Sequence, residues 1–318
     1  MLRLDEALPL IQDTHERQIK LLGEDHEDVW WSEDTLMLLS TATDDYAIKE
    51  ALLRRRFEYL QQQRGPENRS VLDLKSALGS TIWDHNKELA SPAAKSLAEE
   101  GSSLMIEAYE TQLKLYGEAD ITTVEAASRL GTYYNNTMDY AKAEPLRRKV
   151  FEAYRKIFGA EAPETLSMEA DLAATMIKLY RGKEALAILE RVCQLQARIL
   201  RDNPENVALA LELVSTGCYL ASAKWHLHEH VAALEALRSE SRDRLQQLPQ
   251  PNKKANAQAW WKMYDKITEC DQLLRDGILY EDTKGWTTVP AQPSNFKELE
   301  AFYPLKDPIE PPATSWRA

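Results

Sequence analysis

Along most of this chain apolar residues recur at i, i+3, i+4 and i+7, the spacing that places them on one face of a helix. Leu146, Val150, Phe151, Tyr154, Ile157 and Phe158 form one such stripe, and Leu166, Ala170, Ala173, Ile177 and Tyr180 form the next. The punctuation between stripes is regular. Gly23, Gly65, Gly117 and Gly159 are separated by 42, 52 and 42 residues, and a further step of 42 reaches Arg201, just before Asn203-Pro204. Glycine enters the left-handed conformation that ends a helix at little steric cost, so each of these markers predicts a helix stop. A fixed period of this size predicts repeated helix pairs, which bury their apolar faces only by stacking on one another.

Other positions keep phase with the markers. Thirteen residues before them stand Leu10, Leu52, Leu104, Leu146 and Ile188; thirteen after stand Leu36, Leu78, Leu130, Leu172 and Val214. Eight before stand His15, Phe57, Tyr109, Phe151 and Cys193. Sixteen before stand Ala7, Lys49, Gly101, Ala143 and Ala185, small in four cases of five; fourteen after stand Met37, Gly79, Gly131, Ala173 and Ser215. Small residues at these positions let neighbouring helices approach closely. The ten extra residues of the second interval fall between Trp83 and Glu100, around Ser91-Pro92, and point to a longer inter-helix loop or an overlong first helix.

The stretch Tyr116-Gly117 to Gly159, with Thr123-Val124, Leu130-Gly131, Tyr134, Asp139-Tyr140 and Ala143-Glu144, resembles a tetratricopeptide repeat (TPR). The period of about 42 residues and the junction Phe158-Gly159…Pro163-Glu164-Thr165-Leu166 resemble the kinesin-light-chain-like subclass, and His26 falls on its consensus histidine. The resemblance spans roughly residues 7–225. With the repeat phase it leads to an all-α, right-handed α-solenoid of about five TPR-like helix pairs over residues 1–250. A C-terminal capping helix at 251–276, carrying Trp260, Trp261, Tyr264, Ile267 and Leu273, and an irregular tail at 277–318 follow. The resemblance also implies a concave groove, lined by the first helix of each pair, that holds extended peptides. The family's recurring groove asparagine is missing: its positions are Thr35, Ala77, Arg129, Asp171 and Leu213.

Composition narrows the chemistry. The 318 residues hold 11 glycines, and neither a G-x-G-x-x-G nor a G-x-x-x-x-G-K-[ST] loop is present, so no nucleotide cradle is indicated. A net charge of −12 argues against a duplex nucleic-acid partner, whose phosphates require a basic surface. No apolar run approaches the ~18 residues of a membrane span, so no membrane partner is expected. The first residues lack a signal-peptide core. Cys193, Cys218 and Cys270, odd in number and far apart, suit a reducing, cytoplasmic compartment.

The candidate groove residues are Thr35, then Arg129 and Tyr133 one turn apart, then Asp171 and Thr175 one turn apart with Lys178 near them. Their bland counterpart is a solvated face with inter-repeat ion pairs worth ~0–1 kcal/mol each. His226-Leu227-His228-Glu229-His230 places two histidines four apart but lacks H-E-x-x-H and a second ligand cluster, so no metal and no cofactor is expected. No nucleophile or acid–base arrangement has a recognisable signature, and catalytic residues are left unassigned. The tail holds six of the 14 prolines (Pro290, Pro293, Pro304, Pro308, Pro311 and Pro312) yet also Tyr280, Trp286, Phe296, Phe302, Tyr303 and Trp316. Such a segment lies extended along the solenoid or offers its P-x-x-P spacings to another domain. The expected function is therefore a non-catalytic scaffold whose groove holds a protein or peptide partner, with the chain's own tail as one candidate occupant. The alternative is an enzyme or small-molecule-binding protein with a pocket in the solenoid hollow, closed by the tail.

Overall fold

The computed structural model describes residues 4–24, 26–43, 45–87, 89, 91–203, 206–227, isolated positions between 233 and 267, and 278–281 with 285–288. Its helices are α1 (Leu4–Leu22), α2 (Glu27–Thr43), α3 (Tyr46–Arg64), α4 (Arg69–Asn86), α5 (Pro92–Tyr116), α6 (Ile121–Asn136), α7 (Tyr140–Phe158), α8 (Pro163–Lys178), α9 (Gly182–Asp202) and α10 (Val207–His226). Two compact units result, Met1–Tyr133 and Tyr134–Ala318. In the first, α1 packs on α2, α2 on α3, α3 on α4 and α4 on α5; in the second, α7 packs on α8, α8 on α9 and α9 on α10, and α8 also meets α10. Packing of sequential helices plus contact between alternate ones is what stacked helix pairs require.

Local sequence explains where the helices begin. Asp45, Asn68, Ser91, Asp139 and Asn206 each accept a hydrogen bond from a backbone N–H of the first turn. Each satisfies a donor that the helix itself leaves unpaired. Pro92 follows its cap at the one helical position where a missing N–H costs nothing.

The glycines fall into two physical classes. Gly65, Gly117 and Gly159 end α3, α5 and α7 with φ of 83°, 80° and 94° and ψ of 160°, 174° and 164°. This is not the left-handed cap expected from the sequence but an extended positive-φ conformation that is essentially glycine's alone. A Cβ at these positions would meet nothing within 4 Å, so the backbone angle, not crowding, demands glycine. Gly79 and Gly101 are the opposite case. A Cβ on Gly79 would lie 2.5 Å from the Gly101 carbonyl oxygen, and one on Gly101 would lie 2.6 Å from that of Gly79. Here α4 and α5 touch backbone to backbone. The ten inserted residues are shared between elements. Most lengthen α5, the second helix of its pair, to 25 residues against 19 in α3 and α7, and the α4–α5 connection is also longer than the other connections within pairs. The expected longer loop is therefore present, but the overlong helix is the second of the pair, not the first.

An ion pair recurs at one crossing within the pairs. Glu33 of α2, ten residues after its marker, meets Arg55 of α3, ten before the next; Glu169 of α8 meets Arg191 of α9 in the same way. In the α4–α5 pair the polarity is reversed, with Lys75 of α4 donating to Glu107 of α5 at 2.6 Å, and in the α6–α7 pair the matching positions are Ala127 and Lys149. Apolar cores flank these crossings. Leu53, Leu78 and Ile82 form one in the first unit, with Met37, Phe57 and Leu104 against it. In the second, Leu166, Leu172 and Ile177 of α8 pack with Leu189 and Val192 of α9 and with Leu213 and Val214 of α10. Ala233, Ala236 and Ile267 join that core.

Part of the tail departs from the irregular form expected of it. Strands β1 (Ile278–Glu281) and β2 (Gly285–Thr288) pair antiparallel, with Ile278 opposite Thr288 and Glu281 opposite Gly285. Trp260, Trp261, His228, His230 and the tail prolines lie outside the described residues. Among the described residues, no helix is long and apolar enough to cross a membrane.

Candidate functional site: the groove faces of the two units

In the first unit the groove register runs over three first helices of successive pairs. On α2 it carries Trp31, Thr35 and Leu38, spaced so that all three share a face. Trp31 is 67% exposed and Leu38 71% exposed, while the Thr35 hydroxyl is spent on the Trp31 carbonyl one turn back, at 2.9 Å. On α6, Arg129 donates to Asp73 of α4 at 2.8 Å and lies 3.8 Å from Glu125. Tyr133 stands edge-on to Trp83, with ring centroids 5.4 Å apart and planes at 89°, and the Lys87 ammonium sits 4.7 Å from the Trp83 ring. Arg129 and Tyr133 therefore join α6 to α4.

Two charges at this face are held away from their ordinary behaviour. Burial, and secondarily Asp73, raises the Glu125 pKa above the usual carboxylate value, with Arg129 opposing. Burial lowers the Lys49 pKa, with Asp84 pulling it up and Arg129 pushing it down. Lys49 occupies the register where Gly101, Ala143 and Ala185 are buried, and the position of its pair that matches Gly79 and Ala173 is Met37 rather than a small residue. The sequence marks it only as the exception in an otherwise small column.

The second unit is different. Arg147 of α7 donates to the Asp171 carbonyl and, at 2.8 Å, to Thr175 Oγ1, while the Thr175 hydroxyl donates to the same carbonyl at 3.1 Å. Thr175 is fully buried, so the structure makes it a clamp between α7 and α8 rather than an exposed groove contact. Lys178 is half-buried in the last turn of α8. Sequence reasoning missed Glu212 of α10. Its carboxyl is pushed up to about 7, first by burial and then by Glu164 and Asp171 of α8. Its Oε2 is buried without a hydrogen-bond partner. The available signal was that Glu212 is the only acidic residue of α10 and is flanked by Leu211, Leu213 and Val214.

The buried pair His15–Ser32, 2.7 Å apart, has the separation of a nucleophile and its base. Both residues are buried, and the second imidazole nitrogen faces Arg55 instead of a carboxylate. It is a structural contact. Among the described residues, no group of His, Cys, Asp and Glu is arranged to hold a metal ion.

Solved structures now place the architecture. The TPR-like repeats of a kinesin light chain candidate from Podosopora anserina superpose with a TM-score of 0.52 at 19% identity, over 67% of this chain and 94% of that one. The fold is that of a TPR solenoid. BtubC (BKLC) from P. vanneervenii agrees, with a TM-score of 0.56 at 14% identity over 80% of this chain and 96% of that one. No protein-family model matches the chain, and no curated protein sequence does. The kinesin-light-chain-like resemblance read from the junction residues thus holds at the level of the TPR fold.

Proposed function

We propose that this chain is a non-catalytic scaffold that binds a protein or peptide partner along the first helices of its pairs. One observation carries the reading. Trp31 and Leu38 stand exposed on α2 at the groove register, the same register at which α4 and α6 present Asp73, Glu125, Arg129 and Tyr133. Exposed tryptophan beside fixed charges is the composition of interface hot spots. An extended segment laid across these helices meets first an apolar face, then an ion-paired one. The second unit offers a different face, in which Glu164, Asp171 and Glu212 favour a basic group. The chain's own tail is a competing occupant.

A random peptide library panned on the full chain tests this. Selected peptides should lose at least tenfold in affinity for both Trp31→Ala and Arg129→Glu. Peptides that bind both variants as well as the wild type would move the function off these faces.

A further inference from the structure

Where α3, α5 and α7 carry Phe57, Tyr109 and Phe151, α1 carries His15, and it is only 5% exposed. Its Nδ1 lies 2.7 Å from Ser32 Oγ of α2, and its Nε2 lies 3.2 Å from Arg55 Nη2 of α3. A guanidinium only donates hydrogen bonds, so Nε2 must be the accepting nitrogen. The imidazole proton then sits on Nδ1 and donates to Ser32 Oγ, and the Ser32 hydroxyl donates onward to the Val29 carbonyl at 2.8 Å. The second N–H of Arg55 Nη2 goes to the Glu33 carboxylate. Every donor in this chain of contacts has an acceptor, and three helices are joined by it.

The same accounting leaves no place for a second proton. Added to Nε2, it would point at the Arg55 guanidinium in a buried site. Burial first, and Arg55 second, hold the imidazole pKa below its ordinary 6.5; Glu16 on α1 and the Val29 carbonyl pull the other way. Glu33 on α2, the remaining charge at the site, is buried and engaged by both Arg55 and Arg56. We infer that His15 is an acid-sensitive latch: neutral, it ties α1 to α2 and α3, and on protonation it releases α1 and uncovers the α2 face around Val29 and Ser32. The inference is independent of the groove reading, since it concerns the opposite side of α2 from Trp31 and Leu38 in exposure.

Two measurements on the full chain test it. Nitrogen NMR of the His15 ring at pH 7.5 should show the Nδ1–H tautomer; an Nε2–H tautomer would overturn the latch. Amide hydrogen exchange over residues 4–22, normalised to intrinsic rates, should lose about tenfold in protection between pH 7.5 and 5.5. Over the same range α4 and α5 should hold theirs. His15→Phe supplies the aromatic residue found at this position in α3, α5 and α7 and should make α1 protection independent of pH. Constant protection in the wild type down to pH 5.0, or an equal acid loss in His15→Phe, would falsify it.

Discussion

The two units use one repeat grammar, but His15 in the first and Glu212 in the second answer pH in opposite directions. In the first, His15 is buried as the neutral base, so the unfolded chain binds more protons below pH 6.5. The contribution of His15 to stability is complete above that value and is lost as pH falls beneath it. In the second, Glu212 is buried as an acid whose pKa rises from 4.5 to about 7. Its penalty is absent below pH 4.5 and grows until the carboxylate is fully ionised, above about 7. The lesson is that a repeat register fixes where a side chain goes, while the residue placed there decides what the site does. A polar link fills the first unit's equivalent of an aromatic site, and a lone acid interrupts the second unit's apolar face.

The strongest way to separate the units is through their helix crossings. Gly79 and Gly101 touch through backbone, whereas Ala173 and Ala185 fill the same crossing with methyl groups. Gly101→Val should cost the first unit about 3 kcal/mol or more in chemical denaturation, because the obstructing atoms are backbone. The reciprocal change Ala185→Gly should cost the second unit only about 1 kcal/mol. Next in size is Glu212→Gln, which should stabilise the second unit by about 1–2 kcal/mol at pH 8 after allowing for partial solvent screening, and by nearly nothing at pH 5. Segment-resolved hydrogen exchange over α8 to α10 at both pH values reads this; an equal gain at each would break the opposed-pH comparison. Smaller again, Lys75→Glu should cost the first unit about 1 kcal/mol, with most of it restored by adding Glu107→Lys in a double-mutant cycle. Thr35→Ala should change stability by no more than about 0.5 kcal/mol, because its hydroxyl bond is local to α2.

Much of the fold was legible because repetition turns single residues into columns. The marker glycines, the apolar columns and the small column at the crossing each predicted their place, and Gly101 against Gly79 is that column made physical. The form of the helix stop was not legible: sequence selects glycine for positive φ but does not choose between ψ values. The hairpin of β1 and β2 was signalled by β-branched and aromatic residues around Asp282 and Gly285, a pattern masked by the nearby prolines. At the candidate site, one-turn spacing grouped Arg129 with Tyr133 on α6, but their partners Asp73 and Trp83 come from α4 and are set by packing. The same spacing grouped Asp171 with Thr175 but could not foresee Arg147 arriving from α7 and burying the threonine. Glu212 stayed hidden because its significance comes from Glu164 and Asp171, which only packing brings near it.

The reversed ion pair of α4 and α5 carries a consequence for how such a chain avoids tangling with itself. Helix pairs built on one register invite exchange, in which the first helix of one pair adopts the second helix of another. If α2 took α5, Glu33 would face Glu107; if α4 took α3, Lys75 would face Arg55. Each mismatch sets like charges together at a partly buried crossing, where repulsion is least screened. The opposed signs of the α2–α3 and α4–α5 pairs work as an address, so these two neighbouring repeats reject one another's halves. Any duplication or reshuffling of these repeats has to carry both ends of the address together, or the new neighbours will not close.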